Sequence, residues 1–389
     1  MKKVITSEKT AIKLWLDDMD SGAVAQVKNL ANLPFVFKHV AVMPDAHQGY
    51  GMPIGGVMAS EEMVVPNAVG VDIGCGMCAV RTSLSAISPE KLKMVLAEIR
   101  RTVPLGFKHH QHRQKASLMP QAEVPLADLP MVSREYESAL TQLGTLGGGN
   151  HFIEIQKGND GHVWLMVHSG SRNLGFKVAN YYNRLAMELN KQWGSKIPAN
   201  WQLAFLPIDS EAGQTYLHEM RYCVDFAYAN RKMMMERIKD ALLAVTPPVF
   251  FEPMINIAHN YAAMEMHFEK NVMVHRKGAT RAQAGEIGII PGSQGTPSYI
   301  VRGKGNQESF ESCAHGAGRK MGRKQAQRQL NLDQEKKRLD DQGIIHAIRS
   351  VGDLEEAAGA YKDIGEVIGN QLDLVEVLVE LRPLAVIKG

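Results

Sequence analysis

Only four cysteines, Cys75, Cys78, Cys223 and Cys313, occur in this 389-residue chain. The N-terminal run Met1-Lys2-Lys3-Val4-Ile5-Thr6-Ser7-Glu8-Lys9 has no apolar h-region, so no signal peptide is expected. Without an export signal the cysteines read as thiols or metal ligands rather than disulfides. No stretch of about 18 apolar residues is present to span a bilayer, and a cytoplasmic protein with no membrane partner is expected. There is no repeat, low-complexity tract or long Pro/Ser-rich linker. Charge of one sign is also missing: 44 basic residues against 41 acidic leave a net +3, so any surface for nucleic acid must be local.

What is present is material for a large core, with 45% hydrophobic and 22% charged residues. Glycine gathers in short clusters at 49–56, 70–76, 144–149, 285–295 and 303–318. Between them lie strand-like runs at 36–42, 162–168 and 271–276. Ser88-Pro89-Glu90 is a helix start, with an N-cap and a proline at the first position, and predicts a helix to about Arg101. Apolar spacing predicts further helices over 176–193, 212–244, 317–330 and 364–380. Strands and helices do not alternate regularly. The expected fold is therefore α+β, with mixed or antiparallel sheets and helices packed outside. Because the glycine clusters run from residue 49 to residue 318, one domain over 1–389 is expected, its site drawing on the whole chain.

Five motifs could carry chemistry. In Val69-Gly70-Val71-Asp72-Ile73-Gly74-Cys75-Gly76-Met77, glycines permit turns that would aim Asp72 and Cys75 at one ion. A buried cysteine beside a turn aspartate is the bland alternative. Gly147-Gly148-Gly149-Asn150-His151-Phe152-Ile153-Glu154 leads a glycine turn into a strand, with His151 and Ile153 facing opposite to Asn150, Phe152 and Glu154. A hairpin with a stray histidine would read the same. In Val167-His168-Ser169-Gly170-Ser171-Arg172, small residues and a guanidinium suit a phosphate cradle or an exposed loop. His259, in Ile257-Ala258-His259-Asn260, reads alone as a core histidine. Together, Asp72, Cys75, His151, His168 and His259 suit a first-row divalent metal. Thiol with imidazole disfavours a pure magnesium or calcium cage, and softness favours zinc while leaving manganese open.

The fifth motif is the most specific. It runs from Pro291-Gly292-Ser293 through Ser298 to Cys313-Ala314-His315-Gly316-Ala317-Gly318-Arg319. Glycines around His315 would let a phosphate chain reach both the imidazole and the backbone amides, with the next helix expected to start just beyond. That makes His315 a candidate nucleophile toward phosphorus, against the plainer reading of a tight turn. Five of the ten residues 319–328 are basic, and 108–115 holds a second basic excess. Each is a solvated face or, beside a phosphate site, an RNA contact.

Taken in order, these motifs, with Met43-Pro44-Asp45-Ala46-His47-Gln48-Gly49, Ala360-Tyr361-Lys362-Asp363 and the terminal Lys388-Gly389, closely resemble the RtcB-type RNA-splicing ligase family over nearly the whole chain. The resemblance implies an α+β fold around a deep cleft. The implied activity joins RNA 3′-phosphate or 2′,3′-cyclic phosphate ends to 5′-hydroxyl ends, consuming GTP. It further implies that His315 carries GMP as a phosphoramidate and that Asp72, Cys75, His151, His168 and His259 hold two manganese ions. Asn150, Glu154, Ser293, Ser298, His315, Gly316, Ala317, Gly318, Tyr361 and Lys388 would contact the nucleotide, and Arg172 and Arg319 RNA phosphate. Splicing or repair of tRNA or rRNA fragments fits these ends, and an accessory activating protein is compatible with them. Two departures are visible: Ala358, where relatives often carry proline, and the His/Lys-rich loop at 106–120. Two rivals are a metal-dependent RNA end phosphohydrolase or cyclic phosphodiesterase, and a non-catalytic RNA-binding protein.

Overall fold

The computed structural model describes residues 1–389. Two sheets organise it, confirming the α+β expectation. A six-stranded sheet runs Lys3–Ile5, Ala11–Leu14, Val36–Tyr50, Met52–Ser60, Lys270–Lys277, Asn260–His267. It is mixed, because Ala11–Leu14 pairs in parallel with Val36–Tyr50. A seven-stranded antiparallel sheet runs Ile255–Ala258, Gly76–Arg81, Val163–Ser169, Phe152–Gly158, Val375–Lys388, Ser298–Gly303, Ile287–Ile290.

Period-2 side-chain alternation decides what covers each face. In Gly76–Arg81, Cys78 and Val80 pack against the helices Pro89–Thr102 and Glu211–Leu243, through Leu92, Leu96, Met234 and Ile238. Met77 and Ala79 face the other way, onto Phe152, Trp164, Ile289 and Ile300. In the six-stranded sheet, Val40 and Val42 bury against Val27 and Leu30 of the helix Ser21–Ala31. Ala41 and Met43 instead join a core with Ile290, Tyr299 and Val375 of the other sheet. No helix is long and apolar enough to cross a membrane.

The helix expected after Ser88 spans Pro89–Thr102, with the Ser88 side chain accepting from Lys91 N. Those expected at 176–193 and 212–244 are Arg172–Gln192 and Glu211–Leu243. Two expectations need correction. Residues 317–322 are not helical, and the helix is only Arg323–Gln329. Gly318 has φ 72° and lies against the Asp45 carbonyl, where any side chain would collide, so the chain turns before a helix can begin. Over 364–380 the helix stops at Ile364–Gly369, and the central strand Val375–Lys388 follows. Val375, Val377, Val379 and Leu381 repeat every second residue in a β-branched run, and a strand paired on both sides is rich in apolar residues at all spacings.

Candidate active site

Register brings the metal-type ligands together. Ala258 pairs with Gly76, Gly76 with Ser169, and His168 with both Met77 and Phe152. Cys75, His151, His168 and His259 therefore sit at one end of four neighbouring strands, next to or within the last paired residues. Cys75 Sγ lies 3.4 Å from His151 Nε2 and 3.3 Å from His168 Nε2. The ligand atoms of these three buried residues lie within 4.8 Å of one another. Asp72 reaches the group through Oδ2, 3.3 Å from His151 Nε2. The His259 ring centroid is 5.2 Å from that of His168, and its buried Nδ1 has no hydrogen-bond partner.

The imidazoles are aimed from behind. His151 Nδ1 bonds the Leu146 carbonyl at 3.0 Å and His168 Nδ1 the Asn150 carbonyl at 3.1 Å. This leaves His168 Nε2 as the free lone pair, the arrangement usual for a metal-binding histidine, whereas His151 Nε2 is shared with Asp72 Oδ2. Burial holds the His168 and His259 imidazoles well below their ordinary pKa, so both are neutral donors. Burial pushes the Cys75 thiol up, and Asp72 adds to this. Burial also raises Asp72, but the hydrogen bond and charge of His151 outweigh it and hold the carboxyl at about 2. A thiol, neutral imidazoles and an ionised carboxylate, with an orphaned buried nitrogen on His259, fit a transition-metal ion.

The clamp on this end of the sheet is a pair of residues that sequence reading passed over. Asn230 and Arg231 are fully buried halfway along Glu211–Leu243. Asn230 Oδ1 accepts from Gly144 N (2.7 Å) and Thr145 N (3.1 Å), and its Nδ2 donates to the carbonyls of Thr145 and Gly170. Arg231 donates to the carbonyls of Gly74 (2.9 Å) and Ser169 (2.8 Å) and to Asn256 Oδ1 (2.7 Å). Three glycine-rich loops bearing Cys75, His151 and His168 are thus tied to one helix. The signal was readable: two polar side chains interrupt the apolar stripe of Cys223, Phe226, Ala227, Met234 and Ile238.

His315 stands beside the ligands, its ring centroid 4.8 Å from that of His259. It follows the short strand Ser312–Ala314, whose partner strand Ala279–Arg281 begins with a hydrogen bond from Ala279 N to the His259 carbonyl. Asp45, fully buried, accepts from His315 Nδ1 at 2.6 Å and from His315 N at 3.1 Å. The dyad leaves Nε2 as the nitrogen with an available lone pair. Asp45 lies in the Met43–Gly49 motif, where no local feature points to this role.

A cavity of about 160 Å³ opens at His315, lined among others by Asn150, Glu154, His168, Ser293, Gly316, Ala317, Gly318, Arg319, Tyr361 and Lys388. Every expected nucleotide contact is here except Ser298, which lies behind the wall, where its Oγ accepts from Gln156 Nε2 (3.2 Å) and Gly292 N (3.1 Å). Lys388 owes its place to register, since it pairs with Phe152 at the ligand-bearing end of the sheet. Glu154 is buried, which pushes its carboxyl to about 7, although Lys388 and Gln156 oppose the shift. Gln294 also lines the cavity and leaves its buried Oε1 unpartnered. Glu356 was missed by sequence reading. It is a buried acceptor for Arg319 Nη1 (3.2 Å) and the Tyr361 hydroxyl, and it forms ion pairs with Arg323 Nε (3.4 Å) and Lys388 Nζ (3.8 Å).

The two expected phosphate arginines differ. Arg319 is engaged by Glu356, Tyr361 and the carbonyls of Met321 and Glu355. Arg172 makes one side-chain hydrogen bond, to Thr145 Oγ1 (3.2 Å), and packs on Gly147, where no side chain would fit. Its φ of 58° is a left-handed conformation held at the start of a helix, the kind of backbone strain that accompanies functional sites.

Comparison with known proteins gives the family. The profile of the family described as tRNA-splicing ligase RtcB matches residues 26–389. An RNA-splicing ligase RtcB of Escherichia coli K12 is 38% identical over 412 residues, covering 100% of this chain and 99% of the relative. The tRNA-splicing ligases RtcB of Thermococcus kodakarensis and Nanoarchaeum equitans are 34% and 32% identical, covering 94% and 100% of this chain and 90% and 95% of those relatives. With a family profile running to the last residue and relatives aligned end to end, this chain belongs to the RtcB family.

Proposed function

We propose that the chain is an RNA ligase that joins a 3′-phosphate or 2′,3′-cyclic phosphate end to a 5′-hydroxyl end, consuming GTP through a guanylylated His315. The names of its relatives support RNA joining. The observation that carries the finer reading is the Asp45–His315 dyad at the edge of a cavity lined by Arg319, Arg323 and Lys388. Asp45 holds Nδ1–H, so Nε2 is the nucleophile. Nε2 attacks the α-phosphorus of GTP: an N–P bond forms, the P–O bond to the β-phosphate breaks, and pyrophosphate leaves. An oxygen of the RNA 3′-phosphate then attacks the same phosphorus, the N–P bond breaks, and GMP passes to the RNA end. The 5′-hydroxyl oxygen attacks the activated 3′-phosphorus, loses its proton and expels GMP. A cyclic end is first opened by water at the P–O2′ bond.

Asp72, Cys75, His151, His168 and His259 would hold two divalent ions, manganese in this reading. When bound, such ions supply positive charge against the phosphates and lower the pKa of water and hydroxyl groups. Asn150, Glu154, Ser293, Tyr361 and Lys388 would hold the guanylate, with Ser298 supporting the wall through Gln156. Arg172 would meet RNA phosphate. Positioning and charge, rather than further covalent chemistry, would supply most of the rate. The whole chain would act as one catalytic unit.

An end-opening phosphohydrolase would use the same metal donors but gives the Asp45–His315 dyad no work. Single-turnover sealing of RNA already capped at its 3′-phosphate by GMP tests the point. His315→Ala should seal this RNA while failing with GTP and ordinary ends, and His168→Ala should fail with both. Loss of sealing by folded, metal-loaded His315→Ala on capped RNA would refute the nucleophile-only role.

A further inference from the structure

Phe107 is 98% exposed, more than any other large apolar side chain of the molecule. One exposed apolar residue is ordinarily unremarkable, but this one is held in a defined place. Gly106 N donates to the Gly147 carbonyl at 3.1 Å, and Lys108 N closes a turn on Leu105 O at 3.2 Å. On the far side His110 N donates to Thr141 O at 2.9 Å, and the His110 imidazole pairs with Arg237 at 2.7 Å. Phe107, Lys108 and His109 therefore form an exposed crest between two anchored points.

The crest sits at the site. Its anchor Gly147 is the residue on which the Arg172 guanidinium packs. From Gly148, which abuts Gly106, to His151 is at most about 11 Å of chain. Lys108 and His109, both exposed, follow Phe107 in the chain, and the Arg172 guanidinium reaches the base of the crest at Gly147. Burial and the charge of Arg172 hold the His109 imidazole below its ordinary value, a sign of how near the two lie. An aromatic face among cations beside a phosphate-handling centre matches single-stranded RNA, in which a base stacks on a ring and its phosphates meet cations.

We infer that Phe107 is a stacking platform for an unpaired base among the nucleotides nearest the broken RNA end, with Lys108 and Arg172 taking the flanking phosphates. The inference rests on the proposed RNA-joining function. It assigns a role to the loop at 106–115, whose basic excess the chemistry of the site leaves unused. Because Phe107 buries almost nothing, its replacement should not disturb folding.

The test measures binding of a fluorescent single-stranded RNA bearing a 3′-phosphate to the full chain, with Phe107→Ala and Phe107→Tyr beside the unsubstituted protein. A second RNA set carries an abasic ribose at each terminal position in turn. Phe107→Ala should weaken binding roughly 5- to 150-fold, the factor that corresponds to ~1–3 kcal/mol per stacked base. Phe107→Tyr should stay near the unsubstituted affinity. At one position the abasic RNA should cost the unsubstituted protein the same factor and cost Phe107→Ala nothing more. Labelling by GTP should be unaffected. Unchanged affinity in Phe107→Ala would overturn the platform, as would losses that multiply at every abasic position. A change in oligomeric state without a change in RNA affinity would also overturn it and assign the crest to a second copy of the chain. If the unsubstituted protein bound RNA in this manner but took no label and sealed nothing, the platform would stand and the ligase reading would fall.

Discussion

Replacing Arg231 with methionine keeps an unbranched apolar stem and removes every donor. Two buried carbonyls, of Gly74 and Ser169, and the half-buried amide oxygen of Asn256 then lose a charged partner. A buried acceptor left unpaired costs about 1–3 kcal/mol, so the two carbonyls alone lose roughly 2–6 kcal/mol, and Asn256 adds a smaller loss. Part is offset, because burying a guanidinium is itself expensive and Nη2 has no partner here. The expected net destabilisation is about 3–5 kcal/mol, read as a lower urea midpoint at unchanged m-value. The second consequence follows from where the acceptors lie. Gly74 and Ser169 adjoin Cys75 and His168, so manganese affinity should fall about 10–100-fold, the range seen when groups that orient metal ligands are removed. Arg231→Lys, with one point charge in place of a fork, should fall between the two. A stability loss below about 1 kcal/mol with unaltered manganese affinity would refute the claim that Arg231 sets the spacing of the ligand loops.

Glu154 gives a pH signature. Burial raises its carboxyl from 4.5 to about 7, so its contribution to stability is whole below about 4.5 and is lost as pH rises to about 7. The loss should approach about 3 kcal/mol in the nucleotide-free protein. Glu154→Gln should flatten that part of the urea-stability profile between pH 5 and pH 8, and an identical profile would refute the assignment. Cys75→Ala, His168→Ala and His259→Ala should each abolish labelling by GTP and RNA sealing in manganese while leaving a folded protein by circular dichroism. Near-normal ligation by any two of them would contradict the ligand set.

Much of this site was legible because glycine-rich turns and isolated polar residues at strand ends are local signals. Cys75, His151 and His168 each end or precede an apolar run, and strand register then brings them together. Lys388 was not legible by such signals, because its place depends on a register formed with a strand more than 200 residues earlier in the chain. Only the family resemblance pointed to it. The first residues of the same strand, to 380, read as helix: between two neighbours, apolar residues occur at three- and four-residue spacing as well as at two. Asp45 carries no local signal of its role, because its partner His315 is 270 residues away. Asn230 and Arg231 were the avoidable omission, since a polar pair inside a buried helical stripe must be satisfied by something.

The most direct test of the account is to incubate the protein with manganese and GTP labelled at the α-phosphate, then locate the label by peptide mass spectrometry. The account predicts one GMP per chain on His315, acid-labile as a phosphoramidate, lost in His315→Gln and discharged when RNA with a 3′-phosphate is added. Label on any other residue, or sealing of RNA ends by His315→Gln with GTP, would contradict it.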